Sequence, residues 1–541
     1  MSAMLSLFAA VALACAQGAT AGAFLHANAH AAARVRREFV DQSLAAAVAT
    51  DAAALFELEG ELRPIYEALP KSAEGKLEPA VVRYAMHRYF GQKHAWLMKG
   101  LDPTASSVNN SSPAGILEDR VPAYIQDLFA DHLHIQGFGL HELAVFAATL
   151  SDLVLQEELR KLEEAYANAH LRPEQRLSPA ETHDLIEAYL VKFLLPEESN
   201  FSFYLSMRQE VESSFAGWRD TVMWADDLSR ALEHSEGSRR NPFVAGTTAD
   251  HTAAIVREIG NHFGRFQQQE CQSMKNSLFE LEFKGTGRVL LSDFYRVGLE
   301  GAWNFAERAD YLRHIGALDD SDERHPALII PNYVSSHANC VGSSSFFASC
   351  CRNECDNLMG HLEREFAAPL VRAEQIVGVV SGLPSETVDT PRSLSAVLLS
   401  RLEAIAEHHG GRVPLHGRLF AQWMHHAYPR ECPFPQGRGQ LSPEEWEAVS
   451  GQDAVLPDSD LEAFVGKMAA VGNASKAEEL PWDVVEELLA QHVETRSAYR
   501  VLSWRQVAAL LALTSLAVPF VHIYNALTAS LQSSKDEKHM V

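Results

Sequence analysis

Basic residues are scarce in this chain. Its 541 residues include 46 lysines and arginines against 71 aspartates and glutamates, which gives a formal net charge of −25. A nucleic-acid-binding protein needs a basic face, so this balance argues against a nucleic-acid partner. The hydrophobic content of 47% is ordinary for a globular protein, and the length exceeds what a single core supports. We expect an acidic, folded body of more than one domain.

The alternating pattern of a half-buried β-strand is also nearly missing, and the best candidate is the short stretch from Leu328 to Val334. Apolar residues recur instead at helical spacing, as they do from Leu140 to Val154. Ser178-Pro179-Ala180-Glu181 has the form of a capping box that opens a helix. The predicted fold class is all-α.

The common catalytic motifs are missing as well. We find no G-x-S-x-G, no H-E-x-x-H, no G-x-x-x-x-G-K-[ST], and no G-x-G-x-x-G after a strand. No repeat of fixed period is visible, so a solenoid is not expected. We assign no catalytic residue, and we expect a binding or organising protein more than an enzyme.

Both ends of the chain carry apolar segments. Residues 1–21 are predicted to be a signal peptide, although no basic residue precedes the apolar run. Residues 506–530 carry no formal charge and are long enough to span a bilayer, which would leave residues 531–541 as a short cytoplasmic tail. The alternative for each segment is a buried helix. The favoured location is a membrane of the secretory pathway or the cell surface, in a type I orientation.

Cysteines and glycosylation motifs are consistent with that compartment. Cleavage of the signal peptide would leave six cysteines, for which we predict disulfide bonds without choosing among fifteen connectivities. Adjacent half-cystines do not pair easily with each other, so at least one of Cys350 and Cys351 must reach elsewhere. The disulfide candidates are Cys271, Cys340, Cys350, Cys351, Cys355 and Cys432. The glycosylation candidates are Asn109, Asn110, Asn200 and Asn473.

The most polar internal stretch that is also rich in small residues is 233–247, which contains Pro242. We predict a linker there. It would separate an N-terminal helical domain, residues 23–232, from a second helical domain, residues 248–495.

One short stretch, residues 281–295, has the outline of a calcium loop. With Gly287 at the sixth position of a twelve-residue loop, Glu282 takes the first position, Thr286 the fifth and Asp293 the twelfth. Over residues 270 to 300 the chain therefore resembles the EF-hand family. The resemblance implies side-chain ligands from these three residues and a carbonyl ligand from Arg288.

The same loop departs from the family where the ion would sit. Lys284 places an ammonium at the third ligand position, and Asp293 is shorter than the glutamate that usually closes the loop. The acidic stretch that begins at Asp319 is a candidate partner loop with an unsuitable turn. Three interpretations stay open: a metal-free helix–loop–helix, a calcium site of millimolar affinity, and coincidence. We favour the first, so no cofactor is expected, with calcium as the possible exception.

Histidines are dense between residues 408 and 426. Imidazole suits copper and zinc, and a site for either ion needs several ligands that converge in space. The pair Phe420 and Trp423 beside His425 resembles part of the copper-binding helix of type-3 copper proteins. A copper- or zinc-dependent enzyme of the secretory pathway is therefore the alternative class. The histidines concerned are His408, His409, His416, His425 and His426.

These observations favour a single-pass membrane protein with an acidic helical ectodomain. It would be held by its C-terminal helix and would bind a protein partner that the sequence does not identify.

Overall fold

The computed structural model describes residues 52–98, 101, 137–195, 204–215, 217–237, 246–283, 285–301, 303–342, 347–435, 441–469 and 480–489. The predicted signal peptide, transmembrane segment, cytoplasmic tail and all four glycosylation candidates lie outside these residues. Within the described ranges, no helix combines the length and the apolar character that a membrane crossing requires.

Helices dominate the described residues, of which 62% are helical and 8% are strand. The prediction of a mainly helical fold is confirmed at that level. The α-helices are α1 (Ala52–Ala68), α2 (Pro79–His94), α3 (Leu140–Asn168), α4 (Pro179–Leu194), α5 (Tyr204–Ser214), α6 (Trp218–Gly237), α7 (Ala249–Glu280), α8 (Leu291–Leu299), α9 (Ala309–His314), α10 (Ile330–Val334), α11 (Cys355–Phe366), α12 (Ala373–Val380), α13 (Ala396–His408), α14 (Arg418–Ala427), α15 (Pro443–Ser450) and α16 (Asp458–Ala469).

The strands are short, and each pairs antiparallel. They are β1 (Trp96–Met98), β2 (Arg288–Leu290), β3 (Leu318–Asp319), β4 (Ala327–Ile329), β5 (Phe347–Ser349), β6 (Leu370–Val371) and β7 (Val413–Pro414). β1 pairs with β5 and β6 with β7, and β4 lies between β2 and β3. Isolated bridges join further loop residues outside these strands.

Four of these antiparallel contacts share one local arrangement: two helix–loop–helix units face each other through one or a few residues. The facing residues are Leu77 with Phe138, Leu177 with Thr247, Val289 with Leu328, and Val371 with Val413. In every unit except that of Val413, a helix begins two residues after the facing residue. These four contacts join eight related units in four pairs, and the bridge between Glu307 and Val455 joins two further helix–loop–helix segments, those between α8 and α9 and between α15 and α16.

The spacing of these units explains why no repeat is visible in the sequence. Phe138 and Leu177 are 39 residues apart in the chain. The facing residues from Thr247 to Val413 follow one another at intervals of 42, 39, 43 and 42 residues. The intervals from Leu77 to Phe138 and from Leu177 to Thr247 are longer, at 61 and 70 residues, so the regular spacing is interrupted twice. The loops also differ in composition, because only their backbone course is shared.

Each pair of units encloses its own hydrophobic core. The first core includes Leu77 and Phe138, and the second includes Leu177 and Phe263. The third core contains Val289 and Leu328 together. The fourth contains Val371 and Val413, among residues from 355 to 432. Division into four small cores is how a chain of this length buries its apolar residues.

Two long helices connect successive cores, because each is the last helix of one pair and the first of the next. The N-terminal part of α3 packs into the first core and its C-terminal part into the second. In the same way α7 contributes to the second core and then to the third. Gly264 lets α7 pass close to α2, since a Cβ there would lie 2.2 Å from the carbonyl oxygen of His94.

Local sequence signals are confirmed where they involve helix starts. Ser178 and Glu181 form both hydrogen bonds of the capping box at the start of α4. The predicted strand from Leu328 to Val334 needs a correction, since β4 ends at Ile329 and α10 follows at once. Pro331 occupies the first turn of that helix, where a missing N–H is tolerated.

The predicted linker, residues 233–247, contains the end of α6 and the bridge residue Thr247. Helix α7, which follows it, packs against α2, α3, α4 and α6 on one side of the predicted boundary and against α10 on the other. The division into domains 23–232 and 248–495 stays a prediction.

The six cysteines form three disulfide bonds, as predicted. They are Cys271–Cys351, Cys340–Cys350 and Cys355–Cys432. The adjacent Cys350 and Cys351 each pair with a different partner. The first of these bonds ties α7 to the segment before α11, and the third ties α11 to the end of α14.

A buried charge network joins the first pair of units to the last. The Arg88 guanidinium, on α2, forms an ion pair with Glu363 and a second, at 3.3 Å, with Asp356, both on α11. His416 Nε2 lies 2.8 Å from Glu363 Oε1, and Gln92 donates to the carbonyl oxygen of Asp356. Arg88 and Glu363 are 3% and 2% exposed, so neither charge is solvated by water.

Replacement of Arg88 should destabilise the fold strongly. In Arg88→Met the carboxylates of Glu363 and Asp356 would stay buried without a guanidinium, and we expect a loss of about 3–5 kcal/mol. Urea denaturation followed by circular dichroism measures the change. The control is Arg160→Met, whose ion pair with Glu164 is exposed and should be worth less than about 0.5 kcal/mol. Equal losses in the two variants would contradict a central role for Arg88.

Candidate functional site

The loop between α7 and α8 keeps its outline, but its first acid is engaged by the protein. Glu282 Oε1 accepts a hydrogen bond from the backbone N–H of Gly287, and Glu282 Oε2 accepts from the Arg430 guanidinium. The Glu282 side chain is 2% exposed. Gly287 has φ of +71°, and a Cβ there would lie 2.0 Å from the carbonyl oxygen of Pro429, so only glycine fits.

The other calcium candidates also have protein partners. Thr286 Oγ1 donates to the carbonyl oxygen of Phe283 at 2.6 Å. The carbonyl oxygen of Arg288 accepts from the N–H of Phe283, and its side chain pairs with Asp319 at 2.6 Å. Asp293 forms an ion pair with Arg296 on its own helix, at 2.7 Å. Lys284 lies outside the described residues. The metal-free form of this loop, which the sequence favours, stays a prediction.

The acidic stretch that begins at Asp319 runs from the end of β3 to β4, and both of these strands belong to the sheet that contains β2. Val289 faces Leu328 across the short sheet formed by β2 and β4. Asn332 Nδ2 donates to the carbonyl oxygens of Gly316 and Phe434.

Three of the histidines between residues 408 and 426 are hydrogen-bonded to different groups of the protein. His409 Nε2 lies 2.8 Å from Glu486, and His416 Nε2 lies 2.8 Å from Glu363. His425 Nδ1 lies 2.7 Å from the carbonyl oxygen of Cys432. The rings of His426 and Trp482 lie 5.8 Å apart, centre to centre, at an angle of 35°. Burial lowers the pKa of His425 to about 3, so that ring is neutral at ordinary pH.

One set of nearby potential metal ligands does occur among the described residues, on α4. Potential ligand atoms of His183, Asp184 and Glu187 all lie within 4.8 Å of one another. His183 Nδ1 is hydrogen-bonded to Asp226 at 2.9 Å, and Glu187 is paired with Arg208 at 2.9 Å. Two of the three groups therefore already have a protein partner.

The α7 groove is an open depression of about 720 Å³ along the exposed face of α7. Its middle is lined by the uncharged polar side chains of Gln268, Gln269, Gln272, Ser273, Asn276 and Ser277. Two arginines, Arg265 and Arg352, and two acids, Glu280 and Glu386, also line it. None of the described side chains that line the groove is aliphatic or aromatic.

Several contacts fix the walls of the α7 groove. Gln268 Oε1 accepts from the backbone N–H of Arg352 at 3.1 Å, next to the Cys271–Cys351 disulfide. Gln272 Nε2 donates to Glu386 at 3.0 Å. Trp303 Nε1 donates to Ser277 Oγ at 3.0 Å. These hydrogen bonds hold side chains that would otherwise move freely in solvent.

This groove is not evident from the amino-acid sequence alone. The signal was present as "FQQQECQSMKNS", in which uncharged polar residues recur three and four positions apart on one helical face. Such a stripe is not distinguishable from an ordinary solvated face until the neighbouring segment is placed. The arginine of the opposite wall is 87 residues from Arg265 in the chain.

The buried acid Glu307 lies outside both the loop between α7 and α8 and the α7 groove. Glu307 Oε1 accepts from Tyr333 Oη at 2.7 Å, and Tyr295 Oη donates to the backbone carbonyl of Glu307. Among the described residues, Glu307 Oε2 has no hydrogen-bond partner. Burial raises the pKa of the Glu307 carboxyl to about 7.

Comparison with known proteins adds no family. No protein-family model, no curated protein and no solved structure matches the chain. The interpretation of the sites therefore depends on their geometry.

Loss of the guanidinium beside Glu282 should weaken the fold. Arg430→Met would leave the Glu282 carboxylate buried with only the Gly287 N–H, and we expect a loss of about 2–3 kcal/mol in urea denaturation. The double variant Arg430→Met/Glu282→Gln should recover part of that loss, because the buried charge is also removed. A double variant less stable than Arg430→Met would contradict the pairing.

Calcium binding by this loop can be tested on the wild-type protein and on the Glu282→Gln variant. We expect millimolar calcium to leave the thermal midpoint of the wild-type protein unchanged, since the ion would have to displace Arg430. A rise in the midpoint that is lost in Glu282→Gln would instead establish a calcium site in this loop.

Glu307 should make stability depend on pH. The folded protein binds the proton of the Glu307 carboxyl more tightly than the unfolded chain does. In the unfolded chain this carboxyl has its ordinary pKa of 4.5. The contribution is therefore complete below about pH 4.5 and is lost as pH rises through about 7, a change of about 3 kcal/mol. Glu307→Gln should remove that part of the slope in urea denaturation between pH 5 and about 8, and the exposed-site control Glu300→Gln should retain it.

Proposed function

We propose that this protein is a membrane-anchored, lumenal or extracellular binding protein that recognises an extended polypeptide in the α7 groove. The observation that carries the proposal is the groove itself, a long, polar depression whose walls are fixed by hydrogen bonds and a disulfide. The four pairs of helix–loop–helix units act as its rigid support.

The lining of the groove favours a polypeptide over other ligands. Small-molecule pockets are mostly apolar and enclosed, whereas this groove is open and its described lining is polar. The side-chain amides of Gln269 and Asn276 can each donate and accept, which matches the N–H and C=O groups of an extended backbone. Recognition of main-chain groups gives affinity with little dependence on sequence.

The length of the groove agrees with such a ligand. Arg265 and Glu280 lie at positions 15 residues apart on α7, which corresponds to about 22 Å along the helix axis. An extended chain rises about 3.3 Å per residue, so about seven residues would fill the groove. A wall already fixed by hydrogen bonds and a disulfide loses little conformational entropy when it binds.

The body that presents the groove is proposed to be an array of EF-hand-like pairs that work without metal. Support comes from the eight related units and from the cation that faces the first acid of each loop in the third pair. Arg430 faces Glu282, and Arg288 faces Asp319. A calcium-responsive module, and a copper or zinc enzyme based on residues 408–426, stay as alternative hypotheses. No contact among the described residues favours either alternative.

The proposed compartment is supported by the three disulfide bonds. Such bonds persist in oxidising environments and are rare in the cytosol. Attachment through residues 506–530 would place the groove on the lumenal or extracellular side.

Selection from a random peptide library on the full-length protein tests the proposal. We expect recovered peptides to bind with micromolar affinity in fluorescence anisotropy. Ser273→Trp, which fills the middle of the groove, should weaken binding at least about tenfold. The matched control Ser400→Trp changes an exposed serine of α13, away from the groove, and should bind as the wild type does. Failure to recover peptides, or equal binding by Ser273→Trp, would overturn the proposal.

A further inference from the structure

Two arginines at one end of the α7 groove have no acidic partner in the part of the chain that the structure describes, although the protein is strongly acidic. Among the described residues, neither Arg265 nor Arg352 forms an ion pair. The neighbours of Arg265 one turn away on α7 are Asn261, His262, Gln268 and Gln269, and none of them is an acid. Their two guanidinium charges are close enough to interact, because Arg265 adds to burial in lowering the pKa of Arg352.

Arg352 is held in this position although the position is electrostatically unfavourable. Its backbone N–H donates to Gln268, its Nη2 donates to the carbonyl oxygen of Lys93 at 3.2 Å, and Cys351 beside it is bonded to α7. Arg352 Nε is buried and has no hydrogen-bond partner among the described residues. A buried donor without a partner is costly in a folded protein unless a ligand satisfies it.

We infer that Arg265 and Arg352 form a carboxylate-binding subsite, which receives an acidic group at one end of the polypeptide bound in the α7 groove. This inference rests on the proposed function of the groove. A carboxylate accepts two hydrogen bonds from a guanidinium in parallel, and its negative charge would relieve the repulsion between the two arginines.

The other end of the groove has the opposite charge. Glu280 is exposed there, whereas Glu386, which is half exposed, accepts from Gln272 near the middle of the groove. An extended ligand would therefore bind in one direction, with its acidic group at the arginines and its uncharged or basic end near Glu280. Like charges placed in the reverse direction would disfavour binding.

The experiment uses peptides recovered from the random library on the full-length protein. We expect an aspartate, a glutamate or the C-terminal carboxylate at one end of the selected sequences. Arg265→Gln should raise Kd about tenfold, and so should Arg352→Gln. The matched control Arg257→Gln removes an exposed arginine of the same helix outside the groove and should leave Kd unchanged. Because Arg265 is exposed, its replacement does not threaten folding.

Two arms identify the source of the carboxylate. One peptide carries glutamine in place of its terminal acid, and another carries a C-terminal amide. The modification that removes the bound carboxylate should raise Kd about tenfold in the wild-type protein. The same modification should leave Kd unchanged in Arg265→Gln. Peptides that are blocked by Ser273→Trp, but bind Arg265→Gln and Arg352→Gln with unchanged Kd, would overturn this inference and leave the groove proposal intact. Failure to recover any peptide would overturn both.

Discussion

The buried guanidinium of Arg88 is the constraint on which the arrangement of the four cores depends. It lies between α2 and α11, and it compensates two carboxylates that water does not reach. A buried ion pair is stable only when its geometry and additional hydrogen bonds are correct, so the first and the last pair of units must meet in one register. The disulfide between Cys355 and Cys432 then holds α11 against the end of α14, within the same fourth core.

Cations supplied by the protein have a consistent place in this fold. Arg430 faces Glu282, Arg288 faces Asp319 and Lys275 faces Glu354, each between segments that are distant in the sequence. In a chain with a net charge of −25, such contacts remove repulsion where helices and loops pack. Against that background the two arginines of the α7 groove differ, because both line the groove and neither forms an ion pair with an acid among the described residues.

The predictions from the sequence held where the signal was local. The capping box at Ser178 and the helical spacing after Leu140 depend on residues within a turn or two of each other, and both are present. The strand from Leu328 to Val334 was predicted too long, since a helix start after β4 is decided by the facing loop at Val289. The repeated unit was missed because its period is interrupted twice and only the backbone course recurs.

By itself, the amino-acid sequence determined the mainly helical fold, the acidic surface and the involvement of six cysteines in disulfide bonds, because periodicity, composition and cysteine number are properties of the chain. It also placed a turn at Gly287, where a positive φ is required. Only the tertiary structure decided the cysteine partners, the separate environments of the histidines, and the meeting of Arg265 with Arg352. Those features depend on contacts between residues far apart in the chain, and such contacts form only when the four cores have packed against one another.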